Sequence, residues 1–243
     1  MRRTTRRVDA LAFVVGALFV GGCASTGEVR DPIEPLNRAM FSFNEYADRY
    51  FMRPGAKAYS AVTPKPIQRG VSNFFRNVRA IDSAVASFLQ GKGKKGAVEL
   101  GRIVINTTFG IGGLIDVGRK VGLEPANEDM GQTFAVWGWE NPPYVVLPLL
   151  GPSNLRDAPD HVFQQLFLPP MILPFYNPGL RAVDGLQQRS ETLDMTDARD
   201  ERALDKYVFT REAFMQRRRF LVYDGEPPSE DFEDLLDELD EEE

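Results

Sequence analysis

His161 is the only histidine in the chain and Cys23 the only cysteine. Those two facts limit the chemistry first. A serine or cysteine nucleophile needs a base beside it, most often histidine, and a multi-histidine zinc site needs more than one imidazole. His161 stands near Asp157 and Asp160, a grouping that suits a surface or capping role and at most one weak metal contact. The Gly-x-Ser-x-Gly pattern is absent. Paired carboxylates can run glycoside hydrolysis, but no stretch sets two of them in a cleft pattern. Neither glycine-rich stretch is a phosphate cradle. "GKGKKG" (91–96) has no Ser or Thr where a Walker loop requires one, and "GIGG" (110–113) lacks both the third glycine and the βαβ frame of a dinucleotide fingerprint. The residue pattern therefore predicts no enzyme, no cofactor and no metal site.

What stands out instead is ionic groups set into apolar helix faces: Asp82, Arg211 and Arg218. A charge buried without a partner is costly, so each must pair or meet water. Two readings stay open at this point. These groups form structural ion pairs, or they line a wet passage through a body whose outside faces lipid. Arginine adds a further option, since its guanidinium holds a phosphate by two parallel hydrogen bonds.

The elements that must position these groups are mostly helical. Leu36, Met40, Phe43, Ala47, Tyr50 and Phe51 recur at spacings of three and four, which predicts a helix opened by Pro32 and Pro35 and ended by Pro54. "TPKPIQRG" (63–70) reads as a loop. Val71, Phe74, Phe75, Val78, Ile81, Val85, Phe88 and Leu89 then share one arc of a long amphipathic helix, with Asp82 inside that arc and Gly91 at its end. The uncharged run Ile103–Ile115 covers about 20 Å as a helix, against about 30 Å of hydrocarbon, and does not span a bilayer. It reads as a helix to about Phe109, then a turn in which Gly110, Gly112 and Gly113 permit close backbone approach. From Gly131 to Asp157 the period changes. Trp137 and Trp139 share a face of extended chain and "ENPP" turns it, which predicts a hairpin-like excursion. That hairpin is either core or an interface anchor through Trp137, Trp139 and Tyr144, since such rings favour the membrane boundary. A short helix over 155–168 is expected to stop at Pro169–Pro170. The apolar, proline-rich run beyond it is expected to be shielded by protein or to lie at headgroup level. Segments 180–193 and 204–223 return to helix.

The two ends stand apart. Four arginines precede an apolar run, Leu11–Val20, of signal-peptide length. Val20-Gly21-Gly22-Cys23 follows, resembling the lipobox of bacterial lipoproteins, and Ala24 in place of Asp resembles members passed on to the outer membrane. Residues 1–22 are thus expected as a signal peptide and 23–30 as a tether lipidated at Cys23. The last eighteen residues, 226–243, carry eleven carboxylates and no Lys or Arg. They are expected as a solvated, disordered tail, with docking as the other reading. The body between is near neutral, and nothing suggests a nucleic-acid binder.

Six motifs in order, "DPIEPLNRAMFSFN", "VSNFFRNV", "FLQGK", "INTTFGIGGLIDV", "PPYVVLPLLGPSNLRD" and "REAFMQRRRF", closely resemble the MlaA (VacJ) family of outer-membrane lipoproteins of the maintenance-of-lipid-asymmetry pathway. The likeness runs from Asp31 to about Gly225. It implies a mainly α domain over 31–225: a ring of amphipathic helices lying in the membrane plane around a central channel. Through that channel phospholipids misplaced in the outer leaflet reach a soluble periplasmic carrier, and members associate with trimeric porins. Membership of the matching motifs places channel or rim candidates at Asn37, Phe41, Phe43, Asn44, Asn106, Gly110, Gly112, Gly113, Asp116, Pro148, Gly151, Arg156 and Asp157, beside Asp82 and Arg211 read from their helix faces. For the glycines and prolines, packing or turn formation is an equal reading. The competing functions are a structural lipoprotein that braces porins and a periplasmic lipid hydrolase.

Overall fold

The computed structural model describes residues 31–173 and 175–228. The expected signal peptide, the expected Cys23 tether and nearly all of the expected acidic tail lie outside the described residues. Helix α1 (Glu34–Ala47) runs through a π-helical turn (Asp48–Met52) into α2 (Arg53–Val62). Helices α3 (Lys65–Leu89) and α4 (Gly93–Thr108) form the most extensive helix pair. Short helices α5 (Val117–Lys120) and α6 (Met130–Val136) lead to strands β1 (Tyr144–Leu147) and β2 (Gly151–Asn154). Helix α7 (Ala158–Val162) continues through a second π-turn (Phe163–Phe167) into α8 (Leu168–Ile172). Helices α9 (Pro178–Glu191), α10 (Leu193–Arg202) and α11 (Lys206–Val222) complete the described chain. The fold is mainly helical, as expected.

Contacts join the elements in a circuit. Helix α1 packs on the hairpin, the hairpin on α11, α11 on α6, α6 on α3, α3 on α9, and α9 on α2.

Several sequence-based boundaries change. Pro54 does not end the first helix, and Pro169–Pro170 do not end the later one. In both places a π-turn precedes the proline: Arg53 N–H bonds Asp48 O, and Leu168 N–H bonds Phe163 O. The widened turn lets each proline take the first positions of a new α segment, where its missing N–H removes no needed bond. The loop expected at 63–70 shrinks to Thr63–Pro64, because Pro66 also sits in a first turn. Gln68 donates back to the Ser60 and Thr63 carbonyls, covering the end of α2.

The tryptophans are not on a hairpin. Residues 130–136 are helical, Trp137 caps that helix, and Gly138 (φ +107°) turns the chain. The hairpin comes later and is short. Its register pairs Tyr144 with Asn154 and Leu147 with Gly151. Helix α1 stands in for a third strand. Asn37 Nδ2 donates to Tyr144 O (3.0 Å) and Asn37 Oδ1 accepts from Val146 N–H (3.0 Å). Asn44, two turns on, repeats this with Leu147 O (2.8 Å) and Leu149 N–H (2.7 Å). Each primary amide copies the donor–acceptor pair of a peptide group, so the open edge of β1 is satisfied by side chains. Tyr144, Val146 and Tyr207 form a small apolar cluster here, with Phe41 edge-on to Tyr207 at 5.6 Å.

Asn37→Ala leaves a buried carbonyl and N–H of β1 without partners and should cost about 2–4 kcal/mol. Asn44→Ala should cost less, because Leu149 is exposed. Denaturant midpoints of the two variants in detergent micelles check this order.

Candidate functional site

Helix α4 is packed with its polar side inward. Glu99, Arg102 and Asn106, spaced three and four apart, are buried, while Leu100 and Val104 on the other side are exposed. A second exposed apolar stripe, Phe163, Phe167, Met171 and Phe175, recurs every four residues. Among the described residues, nineteen polar or charged side chains are buried against twelve apolar ones, four of those alanine and two proline. A water-soluble domain buries the opposite set, so this distribution asks for an apolar surrounding outside and polar contents within.

Six of the buried polar groups, Asp82, Ser83, Glu99, Arg102, Asn106 and Glu128, line a cavity of about 270 Å³ between α3 and α4. Its wall includes Arg76, Arg79 and Asp82 of α3, the polar stripe of α4, the segment Asp116–Asp129, and Gln164 of the second π-turn. Arg102 sits among Asp116 (3.0 Å), Glu99 (3.5 Å) and the Leu123 carbonyl, to which it donates. Asn106 donates to Asp116 (3.2 Å) and accepts from Gly118 N–H (2.8 Å). Asp116 also caps α5 by accepting the Arg119 N–H. Burial pushes its carboxyl up, but that amide and the Arg102 guanidinium outweigh burial and hold it below the usual range. Glu128 takes Lys92 (3.1 Å) and Lys95 (2.7 Å), and Arg79 takes Asp184 (3.0 Å).

Behind the cavity Arg218 bridges two elements. It bonds Asp129, the cap of α6, at 2.6 and 2.9 Å and lies 2.7 Å from Asp157. Burial opposes ionisation of Asp129, yet the guanidinium keeps its pKa below normal. Gly131 is required at this junction, since a Cβ there would lie 2.2 Å from Asp157 Oδ1 and 2.9 Å from Arg218 Nη2.

Of the expected site residues, the structure brings Asp82, Asn106 and Asp116 to the cavity wall. Gly110, Gly112 and Gly113 form the turn after α4. A Cβ on Gly110 would meet Ile115 O at 2.2 Å and Asn106 O at 2.4 Å, so the turn folds back onto the helix end that carries Asn106. The others lie elsewhere. Asn37 and Asn44 hold β1, with Pro148 and Gly151 at the hairpin end. Phe41 packs on Tyr207, and Phe43 is half exposed. Arg156 and Asp157 are a buried pair (2.8 Å), with Arg156 also donating to the Trp139 and Glu140 carbonyls. Arg211 pairs with Asp31, Glu34 and Glu212. Trp137 and Trp139 are exposed, with Trp137 Nε1 donating to Leu89 O (3.2 Å). Tyr144 is fully buried, which removes it as an interface anchor: its ring fills the cluster beside Tyr207 and Phe214. His161 is half-buried at the end of α7. Burial, helped by nearby Arg218, lowers its pKa and favours the neutral ring. Sequence reasoning missed Glu99, Arg102, Arg76, Glu128, Asp129 and Gln164. The Glu99–Arg102–Asn106 stripe at helical spacing was the available signal.

Asp82 differs from its neighbours on the wall. Its carboxylate accepts from Gln164 Nε2 (2.8 Å), an amide shared with Asp160 (2.9 Å). Burial, then the charges of Asp160 and Asp129, raise its pKa from 3.8 to about 7. Burial, with Asp129, raises Asp160 to about 6. The fold therefore binds protons that the unfolded chain has released, and these two groups withdraw stability as pH rises from about 4 to 7. Asp82→Asn should flatten part of that slope and raise stability at pH 8 by about 1–3 kcal/mol. Denaturant unfolding of lipid-free protein in micelles at pH 5 and pH 8 checks it.

Comparison with known proteins places this architecture. The family model described as MlaA lipoprotein matches residues 29–221. A protein of Shigella flexneri named intermembrane phospholipid transport system lipoprotein MlaA is 33% identical, over 97% of this chain and 99% of that one. An uncharacterised protein of Rickettsia bellii is 35% identical, over 85% of this chain and 81% of its own. A solved structure, reported as the structural basis for maintenance of bacterial outer membrane lipid asymmetry, is 33% identical with a TM-score of 0.69, covering 79% of this chain and 98% of that one. With its motifs, its helical fold and these matches taken together, the chain belongs to the MlaA lipoprotein family.

Proposed function

We propose that this protein transports phospholipid at the outer membrane without chemical change. It is anchored by acylated Cys23 in the periplasm-facing leaflet, takes misplaced phospholipid from the outer leaflet through its polar cavity, and passes it to a soluble periplasmic carrier. A trimeric porin is the proposed partner that holds it in place. The observation that carries this reading is the burial pattern: polar and ionised side chains around a cavity, inside a body that exposes apolar helix stripes. Headgroups need a wet, charged lining, while the surrounding acyl chains need an apolar exterior. No helix among the described residues is long and apolar enough to cross a membrane. That supports helices lying in the plane of one leaflet, as amphipathic helices do at an interface, and the contact circuit of the elements supports a ring. The name of the Shigella flexneri relative and the subject of the solved structure support lipid transport.

The test follows labelled phospholipid from the outer leaflet of porin-containing vesicles to a soluble carrier. Transfer should depend on the protein, and the labelled lipid should be recovered intact. Absence of transfer with retained porin binding would favour a structural brace, and recovery of cleaved lipid would favour a hydrolase.

A further inference from the structure

Two ionisable side chains on the cavity wall have no opposite charge beside them. The other wall charges sit in the ion pairs described above or, for Arg119, 3.7 Å from Glu124. Among the described residues no carboxylate lies within 4.0 Å of the Arg76 guanidinium, and no cation within 4.0 Å of the Asp82 carboxylate. Arg76 donates to neutral oxygens of its own helix, Ser72 O at 3.4 Å and Asn73 Oδ1 at 2.8 Å. Asp82 has only the shared Gln164 amide. Both line the same cavity.

Their depths differ. Arg76 is exposed and stands at the rim, whereas Asp82 is only 8% exposed. Six residues along one helix separate their stations by about 9 Å. The rim beside Arg76 is apolar: Asn73 Nδ2 bonds the Leu114 carbonyl (3.1 Å), and that turn exposes Phe109, Ile111, Leu114 and Ile115. From outside inward the order is apolar surface, cation, anion. A phospholipid with an ethanolamine headgroup has the matching order: acyl chains, phosphate, then a terminal ammonium. A glycerol headgroup ends in neutral hydroxyls and offers the inner carboxylate no charge.

We infer that the cavity is selective for zwitterionic phospholipids with a terminal ammonium, the phosphate held by Arg76 at the rim and the ammonium by Asp82 within. The inference rests on the transport reading given above and names the substrate class of that site. An ammonium at Asp82 supplies the cation that the fold itself withholds, and the guanidinium, turned from its own helix, meets two phosphate oxygens.

The test equilibrates the purified full chain with vesicles holding equal amounts of phosphatidylethanolamine and phosphatidylglycerol, then captures the protein and quantifies retained lipid by mass spectrometry. The unsubstituted protein should retain the ethanolamine lipid over the glycerol lipid by about threefold to tenfold. Asp82→Asn should bring that ratio towards one, Asp82→Glu should keep the preference, and Arg76→Gln should lower both lipids together. A second measurement uses the unsubstituted protein alone, so it stands even where a variant misfolds: glycerophosphoethanolamine should displace bound lipid better than glycerophosphoglycerol. A ratio near one in the unsubstituted protein, an unchanged ratio in Asp82→Asn, or equal displacement by the two soluble headgroups would overturn the inference and leave transport standing. Failure to retain any phospholipid would overturn the transport reading, and this inference with it.

Discussion

A guanidinium taken out of water costs several kcal/mol unless carboxylates and carbonyls close around it, and among the described residues Arg102, Arg156 and Arg218 are closed in this way. Arg102 ties α4 to the segment that begins at Asp116, Arg156 ties the hairpin to the Trp139 turn, and Arg218 ties α11 to α6 and to the start of α7. With few large apolar side chains buried, these links do much of what a hydrophobic core does elsewhere. Removing one member strands the other inside, so the network is all-or-none in a way that a greasy core is not. It also leaves a lining of charge and amide around a space, where an apolar core would fill it.

The same economy appears in how helix ends are used. Asp116 and Asp129 each cap a short helix and each hold an arginine. One carboxylate satisfies orphan backbone donors and a buried cation together. Asn37 and Asn44 do comparable double duty on β1, each amide serving one donor and one acceptor. The body is thus specified by polar geometry. Asp82, shared only with a neutral amide and Asp160, is the group where this rule is relaxed.

Much of the helical layout was legible in the sequence. The three-and-four spacing from Leu36 to Phe51 and the long arc from Val71 to Leu89 locate α1 and α3, and the uncharged run after Arg102 ends in a glycine turn as its composition suggests. The errors have physical causes. Prolines 54, 169 and 170 read as stops and Pro66 as loop, but all four occupy first turns, three of them admitted by π-turns that leave no one-dimensional signal. Trp137 and Trp139 alternate as strand residues do, yet tertiary packing makes the preceding segment helical. The site was less legible. Asp82 drew notice because a charge broke an apolar arc. Glu99 and Arg102 did not, and Asn106 did only through its motif, because a polar stripe on a helix ordinarily means solvent, and only contact with α3 and residues 116–129 shows that it faces inward. Arg211 and Arg218 broke their helix faces equally well, yet both sit in ion pairs and neither lines the cavity, so a charge in an apolar face marks a paired or buried group without saying which kind.

The central claim is that this protein turns its apolar stripes to lipid and its polar groups to an internal, hydrated space. Spin labels placed singly at Phe109, which is 74% exposed, and at Asn73 on the cavity wall in membrane-reconstituted protein test it most directly, through their collision rates with oxygen and with a water-soluble nickel chelate. The account predicts that oxygen dominates at position 109 and the chelate at position 73. Chelate dominance at both positions would contradict it.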